Sequence, residues 1–180
     1  MVVPAAIPST RRNRRTAMTQ HAFYEILTQV QIDHYLFQVT WSVASGESCI
    51  LWICDETSMQ GFEALGRFSH FDKRDILEFI VRYVSNPSLQ EEISKRRFEH
   101  HLEHLPTTVF EEIDRMDFRQ KEEAFRNLFN LDSVIDKAVD LGWKRRIMAK
   151  KFHPDSGGSH KSMTIINEGY DLLSSGKKTS

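Results

Sequence analysis

Cysteine is scarce in this chain, with two in 180 residues, and neither sign of charge is in excess. Cys49 and Cys54 fall within one predicted strand at odd separation, so their side chains point to opposite faces. That argues against a disulfide between them and against a shared metal site. Two buried free thiols in a reducing cytosol are expected instead. Twenty-four Lys and Arg face 25 Asp and Glu, for a formal net charge of -1, so bulk charge argues neither for nor against a nucleic-acid partner. No stretch approaches the roughly 18 apolar residues of a transmembrane helix. A 40% hydrophobic and 27% charged composition fits an ordinary soluble chain with a packed core. Its length allows one or two small domains.

Charge is unevenly placed. Residues 1–19 hold Arg11, Arg12, Arg14 and Arg15, and the first acid is Glu25. Pro4 and Pro8 disfavour a regular element, so this stretch reads as a disordered basic arm. It can be an upstream extension with Met18 rather than Met1 as the start, which is the favoured reading. It can also be an organellar presequence, which would move the expected location from cytoplasm to an organellar matrix. A nucleic-acid-contacting arm ranks last, because nothing aromatic or repeated supports it.

Residues 20–105 read as a small α+β unit. The window 20–32 fits helix and strand equally. Tyr35, Phe37, Val39, Trp41 and Val43 alternate as a strand, Ser45-Gly46 reads as a turn, and Ser48 to Asp55 returns as a nearly apolar strand. The hairpin needs cover. Asp72 as N-cap begins a helix with Ile76, Phe79, Ile80, Tyr83 and Val84 on one stripe. Asn86-Pro87 reads as N-cap and first turn of another helix, through Leu89, Ile93, Arg97 and His101. Residues 106–123 read as a charged, solvated connecting helix, with Thr108 and Glu111 as a capping box and Val109, Ile113 and Met116 on one side. Its acids could instead dock on the basic helix that follows.

The segment 124–176 carries the most specific pattern. A basic run, Lys144-Arg145-Arg146-Ile147-Met148-Ala149-Lys150-Lys151-Phe152, leads into His153-Pro154-Asp155, then Ser156-Gly157-Gly158-Ser159, then an apolar-periodic segment from Met163 to Leu173. Proline disfavours α conformation in the residue before it, so a helix should end near His153. The two glycines can take positive φ and turn the chain back. Helix, tight loop and helix follow. With Asn167-Glu168, Tyr170 and Leu173 in the closing helix, this pattern resembles the J domain of the DnaJ (Hsp40) co-chaperone family. The fold expectation is therefore an α+β N-terminal unit followed by an all-α, J-like helical hairpin.

On that resemblance, Phe125 to Leu131 stands in place of the first J helix, and Asp132 or Ser133 is the expected N-cap of the second. Leu128, Leu131, Ile135, Ala138, Leu141, Met148, Ala149, Phe152, Met163, Ile166, Tyr170 and Leu173 are the expected core. The resemblance implies a DnaK-like Hsp70 as partner, whose ATP hydrolysis the chain would stimulate without hydrolysing ATP itself. The basic face, Lys144, Arg145, Arg146, Lys150 and Lys151, would meet an acidic Hsp70 surface. The His153-Pro154-Asp155 loop, turned by Gly157 and Gly158, would engage polar groups beside it, with Asp155 accepting charge-assisted hydrogen bonds. No cofactor is implied, and the client protein is not named by any motif.

The chain departs from the family pattern in several places. Gly142 falls inside the expected second helix, at a cost of about 1 kcal/mol relative to alanine. Gly169 stands where the family usually has alanine, Arg145 replaces a frequent tyrosine, and the usual proline-containing loop before the second helix is missing. No Cys-x-x-Cys repeats or Gly/Phe-rich linker accompany the module.

Two other functions compete. His100 and His104 lie four residues apart on one predicted helix face, a spacing that can chelate a metal. The ligand set looks incomplete, so exposed polar histidines are the favoured reading. A nucleic-acid-associated protein could use the arginine arm and the Lys144–Lys151 stripe, but no base-reading motif accompanies them.

Overall fold

A computed structural model describes residues 25–42, 45–57 and 61–175 of the chain. The predicted basic arm, with Met1 and Met18, lies outside these residues. The chain divides into two compact units. The first takes the described residues up to Ile93 together with Ser133–Ile135, and the second takes Ser94–Asp132 and the described residues from Asp136 onward.

The first unit is a four-stranded antiparallel sheet with helical cover, so the α+β class holds. Strands β1 (Ile26–Ile32), β2 (Tyr35–Ser42), β3 (Ser45–Asp55) and β4 (Glu63–Phe68) lie in sequence order across the sheet. Phe37 pairs with Ile53 and Val39 with Leu51, which puts four apolar side chains on one face. Helix α1 (Lys73–Ser85) supplies Ile76, Ile80 and Tyr83 to the same core. Its cap is the predicted one: Asp72 accepts from the backbone N–H groups of Arg74 and Asp75.

Only the central hairpin of the sheet was expected. The ambiguous window resolves as strand β1, because Asp33 adopts a left-handed φ of 52° and Ile32 pairs with Tyr35 across a two-residue turn. Aspartate tolerates that conformation better than most residues. β4 was missed because Ala64, Leu65 and Gly66 are all buried, so its pattern does not alternate. Ser45-Gly46 begins β3 rather than forming the turn. Cys49 is buried and Cys54 half-buried, both as free thiols. Burial pushes the Cys49 thiol above its ordinary range.

Ile135 was expected on the second J-like helix. It lies instead in a short 3-10 turn, Ile135–Ala138, and its side chain joins the sheet core with Val134. Glu63 holds this stretch by accepting from Ser133 Oγ and Val134 N, both at 2.7 Å.

Helix α2 (Pro87–Glu103) has the expected Asn86 cap, whose Oδ1 accepts from Ser88 N and Leu89 N. Its apolar residues serve two cores. Leu89 and Ile93 pack on the first, while Phe98 and Leu102 are buried in the second. The step from 93 to 98 is five residues, which rotates the buried stripe by about 100° relative to a four-step ladder. The helix runs through Arg97 and His101 as expected, but past Ile93 its buried positions are Ser94, Phe98 and Leu102.

The second unit contains the end of α2 with α3 (Thr108–Asp114), α4 (Phe118–Leu128), α5 (Leu141–Phe152) and α6 (His160–Ser175). The predicted connecting helix over 106–123 is replaced by α3 and the start of α4. Phe110 and Ile113 are fully buried there, so the segment belongs to this core. The Thr108–Glu111 capping box does not form; Thr107 is the N-cap and makes no side-chain cap bond. Asp117 starts α4 by accepting from Gln120 N. Asp114 pairs with Lys161 and Lys121 pairs with Glu168, so these charges meet α6 and not the basic residues of α5. Among the described residues, no helix is long and apolar enough to cross a membrane.

Candidate functional site

Helix α5 starts later than expected. Its N-cap is Asp140, which accepts from Trp143 N at 2.8 Å, and neither Asp132 nor Ser133. Gly142 is thus in the first turn and not the helix interior. A Cβ there would sit 3.0 Å from the Asp140 cap oxygen, so the interior-glycine penalty does not describe this position.

Along α5 the five predicted cations separate into three kinds. Lys144 is 1% exposed. Its ammonium donates to the carbonyls of Phe129 and Asn130 at 3.0 and 3.1 Å and lies 5.1 Å from the centroid of the Phe98 ring. It caps the C-terminal end of α4, where carbonyls lack helical partners. This removes Lys144 from the expected basic surface. Arg145 is half-buried: Nε and Nη2 both donate to Asn167 Oδ1, and the guanidinium lies 4.9 Å from the centroid of the Tyr170 ring. Its work is to join α5 to α6, and its planar fork suits both contacts. Arg146, Lys150 and Lys151 remain exposed. The place of Lys150 and Lys151 in the last turn of α5 suits the negative pole of the helix dipole.

The helix ends where proline requires. His153 is extended, with φ -64° and ψ 143°. Pro154–Ser156 forms one 3-10 turn. The His153 carbonyl accepts from both Ser156 N and Gly158 N at 2.9 Å, and Gly157 N donates to the Pro154 carbonyl at 3.1 Å. His153 Nδ1 accepts from Asp155 N at 3.2 Å. In that arrangement the neutral ring carries its hydrogen on Nε2, as a donor. The side chains of His153 and Asp155 are 49% and 89% exposed, so both are accessible to a partner.

The two glycines are required for different reasons. Gly157 has φ 86° and open space around a notional Cβ, so it is needed for conformation alone. A Cβ on Gly158 would lie 1.9 Å from the carbonyl oxygen of Phe152, so it is needed for close backbone approach. Ser159 then caps α6 by accepting from Ser162 N.

The core beneath the loop matches most of the expected residues. Leu128, Leu141, Met148, Phe152 and Ile166 are buried, with Leu131, Met163, Tyr170 and Leu173 packed against them. Ala149 is only half-buried, and Ile165, not foreseen, is 1% exposed. Gly169 is explained by its neighbour: a Cβ would meet the buried Phe125 ring at 2.6 Å. The ring occupies the space that an alanine methyl would take.

His101 also supports the end of α4, with Nε2 donating to the Leu128 carbonyl at 3.3 Å. Burial lowers its pKa from the ordinary 6.5, against the raising effect of that hydrogen bond, and the Lys144 and His100 charges lower it further. Below pH 6.5 the unfolded chain therefore binds a proton that the folded chain resists. Stability should fall as pH drops through about 6.5 toward the lower folded value. Urea unfolding at about pH 7.5 and about pH 5.5 checks this. His101→Gln keeps a donor without the charge and should show a shallower loss. The same slope in both proteins would contradict it.

His100 and His104 do come together, with ring centroids 4.3 Å apart. Comparison with protein-family models, curated proteins and solved structures finds no match for this chain.

Proposed function

We propose that this chain is a J-type co-chaperone: its His153-Pro154-Asp155 loop and the exposed Arg146, Lys150 and Lys151 engage a DnaK-like Hsp70 and stimulate its ATP hydrolysis. The observation that carries the reading is the loop itself. An exposed histidine and aspartate flank a proline at the tip of a basic helix, and a glycine turn fastens the tip backbone to the helix end. A tip fixed in advance loses little entropy on binding. The exposed cations would steer the encounter with an acidic surface, and that steering weakens with salt. In this reading the chain acts by preferring one conformation of its partner over another. The sheet-containing unit is left for targeting or client binding.

The test is stimulation of Hsp70 ATP hydrolysis across a salt series. Stimulation should decline as salt rises. Arg146→Glu, Lys150→Glu and Lys151→Glu together should lose about tenfold or more of it at low salt, since each reversal replaces attraction with repulsion. Stimulation unchanged by the triple variant would overturn the assignment of this face.

A further inference from the structure

We propose that His100, Glu103 and His104 form a binding site for one divalent d-block cation, with Zn2+ as the working ion. A nitrogen of each imidazole and a carboxylate oxygen of Glu103 lie within 4.8 Å of one another. Helical geometry accounts for this: residues i, i+3 and i+4 share one face. The two rings are 4.3 Å apart between centroids and inclined by 35°, so they lie next to one another on that face.

A second observation concerns the state of the ligands. His104 Nδ1 lies 2.9 Å from the carbonyl oxygen of His100. A carbonyl only accepts, so Nδ1 carries the hydrogen and the neutral ring keeps its lone pair on Nε2. Metal-bound imidazoles commonly have their other nitrogen fixed in this way, donating to a backbone carbonyl, which sets tautomer and ring orientation. The chain therefore supplies an outer contact as well as the ligand.

The donor set matches the ion. Two imidazoles and one carboxylate are usual zinc donors, and the third preference of such a site is an open position for water. His100 is half-buried, while Glu103 and His104 are exposed, so solvent can complete the coordination. Zinc–ligand bonds of about 2.0–2.2 Å place donor atoms about 3.5 Å apart. With the donor atoms already within 4.8 Å of one another, none of the separations has to close by more than about 1.3 Å, within reach of exposed side chains turning about their own bonds. Their place at the C-terminal turn of α2 adds the negative pole of the helix dipole. None of these residues is used by the co-chaperone reading, so the two stand or fall separately.

The test is isothermal titration of the full, untagged chain with Zn2+. One ion per chain is expected, accompanied by a rise in melting temperature. His100→Asn and His104→Asn should each weaken binding by about tenfold or more, and Glu103→Gln by a smaller factor, since each removes or weakens a direct donor. His160→Asn, an exposed histidine elsewhere, should bind as the parent does. Circular dichroism confirms that each variant is folded, and Glu103→Gln preserves side-chain shape. Failure of the parent to bind Zn2+ at about 100 μM, weaker than a useful site would be, overturns the proposal. So does equal binding by the His100→Asn/His104→Asn double variant.

Discussion

Gly158→Ala is expected to cost about 3 kcal/mol or more of stability, near the upper range for single substitutions. The added methyl would lie 1.9 Å from the Phe152 carbonyl oxygen. No side-chain rotation relieves that clash, because both partners are backbone or fixed to it. The loop would have to open, losing the Gly158 N–H bond to the His153 carbonyl. Gly157→Ala is the comparison. It meets no atom within 4 Å and suffers only its left-handed φ, worth roughly 1–2 kcal/mol. Urea midpoints for the two variants measure the difference. Equal, small losses would mean that the tip is not fastened to the helix end as described.

The second large effect is at Lys144. Lys144→Met keeps most of the stem volume but removes the ammonium. The Phe129 and Asn130 carbonyls then lose this buried donor, at about 1–3 kcal/mol for each group left unsatisfied. A loss of about 2–4 kcal/mol is expected in denaturant unfolding. Lys144→Glu should be worse, since it places a carboxylate against two carbonyl oxygens. A functional consequence follows. Any charge-reversal study of α5 that includes Lys144 would report unfolding as loss of binding, which is why the triple variant above omits it. Near-parental stability of Lys144→Met would contradict its capping role.

Lys144 also shows where sequence reading stops. A lysine in a run of five basic residues among eight positions looks like surface. Nothing local distinguishes it from Lys150, because its burial depends on the carbonyls at the end of α4, fourteen and fifteen residues away. Arg145 was set apart by the same kind of remote partner, Asn167. By contrast, the ends of elements were legible wherever the cause was local. Asp72, Asn86 and Pro154 start or stop helices as their side-chain chemistry dictates. The glycine turn was legible too, although only the structure separates Gly157, which needs its φ, from Gly158, which needs its missing Cβ.

Periodicity failed where one element serves two environments. Helix α2 changes its buried face between Ile93 and Phe98, so no single stripe describes it. Ile135 was assigned to the second J-like helix because Asp132 or Ser133 was expected to cap it, but it belongs to the sheet core. The charged stretch 106–123 was read as solvated because runs of charge usually are, yet Phe110 and Ile113 suffice to bury one side of α3. For the histidine pair, the sequence offered a chelating spacing with an incomplete ligand set, and the structure brings a Glu103 carboxylate oxygen to the same place.

The most direct test of the central claim is single-turnover ATP hydrolysis by a DnaK-like Hsp70, with and without this chain. The parent should accelerate hydrolysis, and His153→Gln, an exposed change that leaves the core untouched, should abolish the acceleration while remaining folded. Equal hydrolysis rates with and without the parent chain, or full stimulation by His153→Gln, would contradict it.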